Sequence, residues 1–141
     1  NGSYHWLAGN ALSYVGVDES SADGYLPRKI IHMPVDAESL VALCAPRPIF
    51  IGGGVSEQGE AWTDPYGQYL TAAAASPVYE LLGKKGLVME DVMDYNGKKI
   101  PMPVTDKAYL SGDIGYRRHH EGHVAAPNYP AFKEFMWKYW K

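Results

Sequence analysis

The run Tyr116-Arg-Arg-His-His-Glu-Gly-His123, leading into Ala125-Ala-Pro-Asn-Tyr-Pro-Ala-Phe132, holds the residues best suited to chemistry. It reads as a short strand, a glycine turn that presents His123, and a proline-marked loop entering a helix. A histidine at the carboxyl end of a strand in an open α/β sheet lies where such sheets build their sites. Imidazole also accepts and releases protons near neutral pH, which suits it to general base and acid work. His119 and His120 precede it and read as structural or supporting groups. A metal site built from His119, His120, Glu121 and His123 is disfavoured, because adjacent strand residues point to opposite faces and helical zinc pairs want an i, i+4 spacing. No cofactor is implied.

A hydrolytic histidine needs a nucleophile. None of the eight serines sits in the Gly-x-Ser-x-Gly turn that exposes a nucleophilic hydroxyl; in Gly54-Val-Ser56-Glu-Gln-Gly59 the second glycine comes one residue late. The lone Cys44 lies in the apolar run Leu40-Val-Ala-Leu-Cys44-Ala45 and reads as a small buried hydrophobe. Either the chemistry is not covalent, or the nucleophile lies outside these 141 residues.

Further elements must position the histidine. Asp36 reads as the N-cap of a short helix with Leu40, Val41, Leu43 and Cys44 on its apolar face, ended by Pro46-Arg47-Pro48. Ile49-Phe-Ile-Gly52 reads as a strand buried on both faces. Gly52-Gly53-Gly54 frees the backbone for a loop through Glu57 and Glu60 to Trp62; no Gly-Lys-Ser/Thr follows that would bind phosphate. Asp64 with Pro65 marks the start of a helix through alanines 72–75, which Ser76-Pro77 is expected to restart and Gly83 to end. Residues 84–112 read as a surface excursion, and Ile114-Gly-Tyr-Arg117 as a second strand. In the final helix Phe132, Phe135, Met136, Tyr139 and Trp140 form one apolar stripe. Residues 1–35 read as a long loop with one helical turn around His5–Tyr14.

Composition narrows the function classes. At 46% hydrophobic residues the chain can bury a core of one domain. A net charge of −3 with scattered lysines and arginines argues against a nucleic-acid partner, and no apolar run is long enough for a membrane span. One cysteine permits no internal disulfide. Eleven tyrosines and four tryptophans weakly favour a carbohydrate-binding cleft beyond their role in the core.

Helix, strand, helix, strand, helix implies a parallel sheet with helical crossovers, yet two strands cannot form such a sheet alone. Residues 1–141 read as an incomplete fold, whose missing strands are expected from sequence upstream of Asn1 or from another polypeptide. By itself the chain is expected to be inactive and prone to aggregate through unpaired strand edges.

Five runs carry a resemblance: Pro34-Val-Asp-Ala-Glu-Ser-Leu40, Ala42-Leu-Cys-Ala-Pro-Arg-Pro-Ile-Phe-Ile51, Ala61-Trp-Thr-Asp-Pro-Tyr-Gly67, Ala75-Ser-Pro-Val-Tyr-Glu-Leu-Leu-Gly83, and Ile114-Gly-Tyr-Arg through Gly122-His123. Together they resemble the carboxyl-terminal third of bacterial glucuronoyl esterases, α/β-hydrolases of the acetylxylan-esterase-like group. The resemblance implies the carboxyl-terminal portion of an α/β-hydrolase fold, with parallel strands, crossover helices and an incomplete sheet. It implies a secreted or periplasmic serine esterase that cleaves 4-O-methyl-glucuronoyl esters linking xylan to lignin, so that the partner is a glucuronoxylan or lignin–carbohydrate ester. Acetylxylan ester hydrolysis, or a degenerate domain that only binds polysaccharide, are the alternatives. His123 matches the catalytic histidine, Glu60 an acidic position that completes or assists the triad, and Trp62 a tryptophan near the uronic acid. The chain departs from the pattern at Glu38, where His is common, at Glu121, where Gly is frequent, and in a longer insert around residues 91–113.

Overall fold

A computed structural model describes residues 35–89 and 103–140, and the backbone of 17–18 and 26–27. The chain divides into two units, Asn1–Asp36 and Ala37–Lys141. In the first, β1 (Val17–Asp18) pairs antiparallel with β2 (Leu26–Pro27); the helical turn expected around His5–Tyr14 lies outside the described residues. The site belongs to the second unit.

That unit runs α1 (Ala37–Ala42), β3 (Ile49–Gly53), α2 (Pro65–Leu81), β4 (Ala108–Tyr109), β5 (Ile114–Arg118) and α3 (Tyr129–Trp137). The sheet order is β3-β5-β4. β3 and β5 are parallel, with Ile49 opposite Ile114 and Gly53 opposite Arg118, as a crossover through a helix requires. β4 adds an antiparallel edge, Tyr109 opposite Tyr116, inside the stretch 84–112 expected to be a surface excursion. Leu87 also bridges to Ile114, and Tyr109 and Met89 join the core. The excursion reading is thus corrected at both described ends of the stretch: an isolated two-residue strand carries too little periodicity to be seen in sequence.

The period of two along β5 sorts the layers. Ile114 and Tyr116, both fully buried, face α2 and pack with Tyr69, Ala72, Ala75 and Tyr79. The alanines at 72, 73 and 75 are buried and let the helix approach the sheet closely. Gly115 faces the other way. A Cβ there would come within 2.8 Å of the Phe135 ring, so the absent side chain is what seats Phe135 on the sheet. Phe50 meets the Phe135 and Phe132 rings at centroid distances of 5.9 and 5.7 Å. Helices therefore cover both faces, α2 on one and α3 on the other.

The start of α2 follows the sequence signal: Asp64 accepts from the Gly67 N–H at 3.1 Å, and Pro65 occupies the first turn. The restart at Ser76-Pro77 does not occur, and Pro77 sits inside one 17-residue helix. The Ser76 hydroxyl donates to the Ala72 carbonyl at 3.2 Å and accepts from the Leu87 N–H at 2.9 Å, which ties this turn to the bridge beside β5. Tertiary packing outweighs the local cost of the proline.

Two apolar stripes are more exposed than their periodicity implies. In α1, Val41 packs toward Tyr79, but Leu40 and Leu43 are 64% and 73% exposed, and Cys44 is only half-buried. The expectation of a small buried hydrophobe at Cys44 is corrected accordingly. In α3, Phe135 is fully buried, Phe132 rests an edge on Phe50 yet stays 40% exposed, and the helix ends before the outward-facing Trp140.

Candidate active site

Two loops leave the carboxyl ends of the parallel strands and meet. The first follows β3 and makes two single turns of 3-10 helix, Ser56–Gln58 and Ala61–Thr63, with Glu60 between them. Gly59 adopts φ +94°, a left-handed conformation that glycine takes without strain. The second follows β5 and runs from His119 to the turn Ala126–Asn128 that opens α3.

Glycines let the loops touch backbone to backbone. A Cβ on Gly54 would lie 2.3 Å from the carbonyl oxygens of Glu121 and Gly122, and one on Gly122 would lie 1.7 Å from that of Gln58. Hydrogen bonds fasten the contact: the Val55 N–H donates to Glu121 O at 2.9 Å and the His119 N–H to Gly53 O at 3.0 Å. Asn128, buried at the foot of α3, donates to Gly53 O at 3.3 Å and accepts from Arg117 at 2.9 Å.

This clamp brings together two residues 63 apart in sequence. His123 Nδ1 lies 2.8 Å from Glu60 Oε2. Glu60 is 5% exposed, and its other carboxylate oxygen accepts from the Thr63 hydroxyl at 3.0 Å. A carboxylate can only accept, so the shared proton sits on Nδ1, and in the neutral ring the Nε2 lone pair points away from the pair. The His123 side chain is 62% exposed. Trp62 lies against it, ring centroids 4.7 Å apart and planes at 60°, and is itself half exposed. The arrangement is a buried acid, an oriented imidazole with a free basic nitrogen, and an aromatic surface beside it.

The other histidines go to separate partners. His119 is fully buried and bonds within its own loop. His120 is exposed and places Nδ1 2.8 Å from Asp106 Oδ2. The hydrogen bond from the His120 side chain is the largest influence on the Asp106 carboxyl and, with the His120 backbone N–H and Arg117, holds it below its ordinary range against the opposing pull of desolvation. Among the described residues no group of three His, Cys, Asp or Glu is arranged to hold a metal ion.

Sequence reading had not singled out Thr63 or Asn128. Thr63, three residues after Glu60, carries a weak signal, since a hydroxyl at that spacing can reach back across one turn. Asn128 carries none, because its partners come from β3 and β5.

Parallel strands with a helical crossover, covered on both faces and carrying this pair at their carboxyl ends, are part of an α/β-hydrolase fold. No family model matches the sequence. A carbohydrate esterase designated MZ0003, from an unknown prokaryotic organism, is 35% identical over 104 residues, which is 73% of this chain and 21% of that protein. Among solved structures, a CE15 glucuronoyl esterase from Teredinibacter turnerae superposes with a TM-score of 0.73 at 36% identity, over 98% of this chain and 28% of its own. A promiscuous CE15 esterase from a marine bacterial metagenome gives 0.56 at 35% identity, over 73% and 23%. A glucuronoyl esterase from Solibacter usitatus gives 0.61 at 27% identity, over 84% and 29%. The chain is a homologue of the CE15 glucuronoyl esterases. It spans between a fifth and a third of the length of these relatives.

Proposed function

We propose that these residues supply the base, the acid and one substrate-facing aromatic of a serine-type carboxylic ester hydrolase acting on plant cell-wall polysaccharide. The bond cleaved is the 4-O-methyl-glucuronoyl ester that joins xylan to lignin, and the enzyme works outside the cytoplasm, where that polymer lies. The observation that carries this is the Glu60–His123 pair, 2.8 Å apart, with Nε2 unblocked beside Trp62. The names of the CE15 relatives support the ester class.

The chemistry is two-step acyl transfer. A serine hydroxyl from the upstream part of the domain attacks the ester carbonyl while His123 Nε2 takes its proton. Glu60, buried and already bonded to Nδ1, stabilises the imidazolium that forms and keeps the ring in the productive tautomer. The imidazolium then protonates the leaving lignin alkoxide as the acyl–serine ester forms. Water, deprotonated by the same nitrogen, attacks that ester, and the serine oxygen leaves with the returned proton, freeing the uronic carboxyl group. Trp62 offers a flat face to the sugar ring. A decayed, binding-only domain is disfavoured by the intact pair, since a buried carboxylate costs stability that a polysaccharide platform does not require.

The test is ester turnover by the complete protein. His123→Ala is expected to lower kcat by about a thousandfold or more with the fold intact, since losing the base disables the whole unit. Retention of more than about a tenth of wild-type turnover would remove His123 from the mechanism. Comparing glucuronoyl with acetyl esters separates the proposed substrate from acetylated xylan.

A further inference from the structure

His119 is an imidazole with no exposed surface, and a polar ring buried so completely is stable only when its nitrogens are hydrogen-bonded. Both ring nitrogens are used, and both partners are backbone of the loop that carries His123. Nδ1 accepts from the Glu121 N–H at 3.1 Å, and Nε2 lies 2.8 Å from the Val124 carbonyl oxygen, to which it donates. These contacts bracket His123, one ending two residues before it and the other one residue after. The Val124 N–H donates to Gly122 O at 2.8 Å, closing a tight turn with His123 at its apex. The His119 backbone N–H donates to Gly53 O, at the end of the strand from which the Glu60 loop departs.

We infer that His119 is a positioning residue: a neutral imidazole strut inside the loop that sets the His123 ring against Glu60. The inference rests on the proposed role of His123 and goes beyond it by assigning work to a second histidine that touches no substrate. The directions of the two bonds fix the ring as the Nε2–H tautomer. One rigid ring must accept at one end of the loop and donate at the other. Asparagine can reproduce only the acceptor, near the position of Nδ1. Glutamine can reproduce only the donor, near Nε2. Leucine reproduces neither, and leaves the Glu121 N–H and Val124 carbonyl without their present partner.

The experiment compares wild type, His119→Gln, His119→Asn and His119→Leu in the complete protein, with near-ultraviolet circular dichroism to verify folding. Two readouts are taken: the proton resonance of His123 Nδ1–H, which reports the bond to Glu60 without any turnover, and kcat and KM on a glucuronoyl ester. In wild type the Nδ1–H signal is expected to be present. His119→Leu should abolish it and lower kcat about a hundredfold at little cost in KM, the size of effect that an ångström of misplacement produces. His119→Gln and His119→Asn should fall between, each keeping one brace. If His119→Leu does not fold, the glutamine and asparagine variants decide: a weakened Nδ1–H signal with lowered kcat supports the strut. A wild-type signal and kcat in every folded variant overturns it. Should wild type show no ester turnover, the proposed function fails, while the Nδ1–H comparison still tests the strut.

Discussion

β3 and β5 lie side by side in parallel, yet they are supported differently. β5 is bonded along both edges and buries Ile114, Gly115 and Tyr116 between two helices. β3 is bonded only to β5 among the described residues, and its Ile49, Phe50 and Ile51 are half-buried. His123 follows the closed strand and Glu60 follows the open one. What holds Glu60 in place is therefore less its own strand than the glycine-to-backbone contact with the His123 loop and the bonds through Val55 and His119. The site is braced from the β5 side.

The largest effect should come from the closed side. Phe135→Ala removes a fully buried ring seated on Gly115 and should cost about 3–5 kcal/mol. Phe50→Ala, on the half-buried strand, should cost less than about half of that. Denaturant unfolding of the complete protein measures both; equal losses would mean that β3 is as enclosed as β5.

A smaller effect, confined to chemistry, is expected at the loop contact. Gly122→Ala puts a methyl group into the Gln58 carbonyl and must part the loops. Turnover should fall about a hundredfold, or about 2.7 kcal/mol at 1.36 per decade, with melting temperature changing far less. The same loss from Gly59→Ala, whose Cβ would meet nothing within 4 Å, would point to backbone strain rather than loop separation.

The mildest contrast is in alkaline stability. Burial, above all, pushes the Tyr79 and Tyr116 phenols up to about 12, from 10.0. A raised folded value favours the neutral form in the fold, so this stabilisation is complete below about pH 10 and is lost as pH rises toward 12. Tyrosinate absorbance from the core should appear together with unfolding in that window, not before it.

How much of this was legible in sequence follows from which forces act locally. Both central strands and the start of α2 are marked by neighbours in the chain: Pro48 before Ile49, glycines after Ile51, Asp64 with Pro65. His123 carries a local signal too, a histidine after a glycine at a strand end, and the structure places it 2.8 Å from Glu60 and against Trp62. The rest depends on contacts distant in sequence. β4 exists because β5 offers it an edge, α2 continues through Pro77 because packing holds it, and the burial of His119 follows from where the Val124 carbonyl ends up. The outward-facing Leu40 and Leu43 show the converse, an apolar stripe that the described residues do not cover.

The central claim is that Glu60 acts through His123 and not beside it. The most direct measurement is a double-mutant cycle on kcat for a glucuronoyl ester, using Glu60→Gln, His123→Ala and the combined variant in the complete protein. Groups that act as one unit are grossly non-additive. The predicted result is that the combined variant turns over as slowly as His123→Ala alone, because the acid has nothing left to orient. Losses that multiply would contradict the claim and give Glu60 a task independent of the histidine it touches.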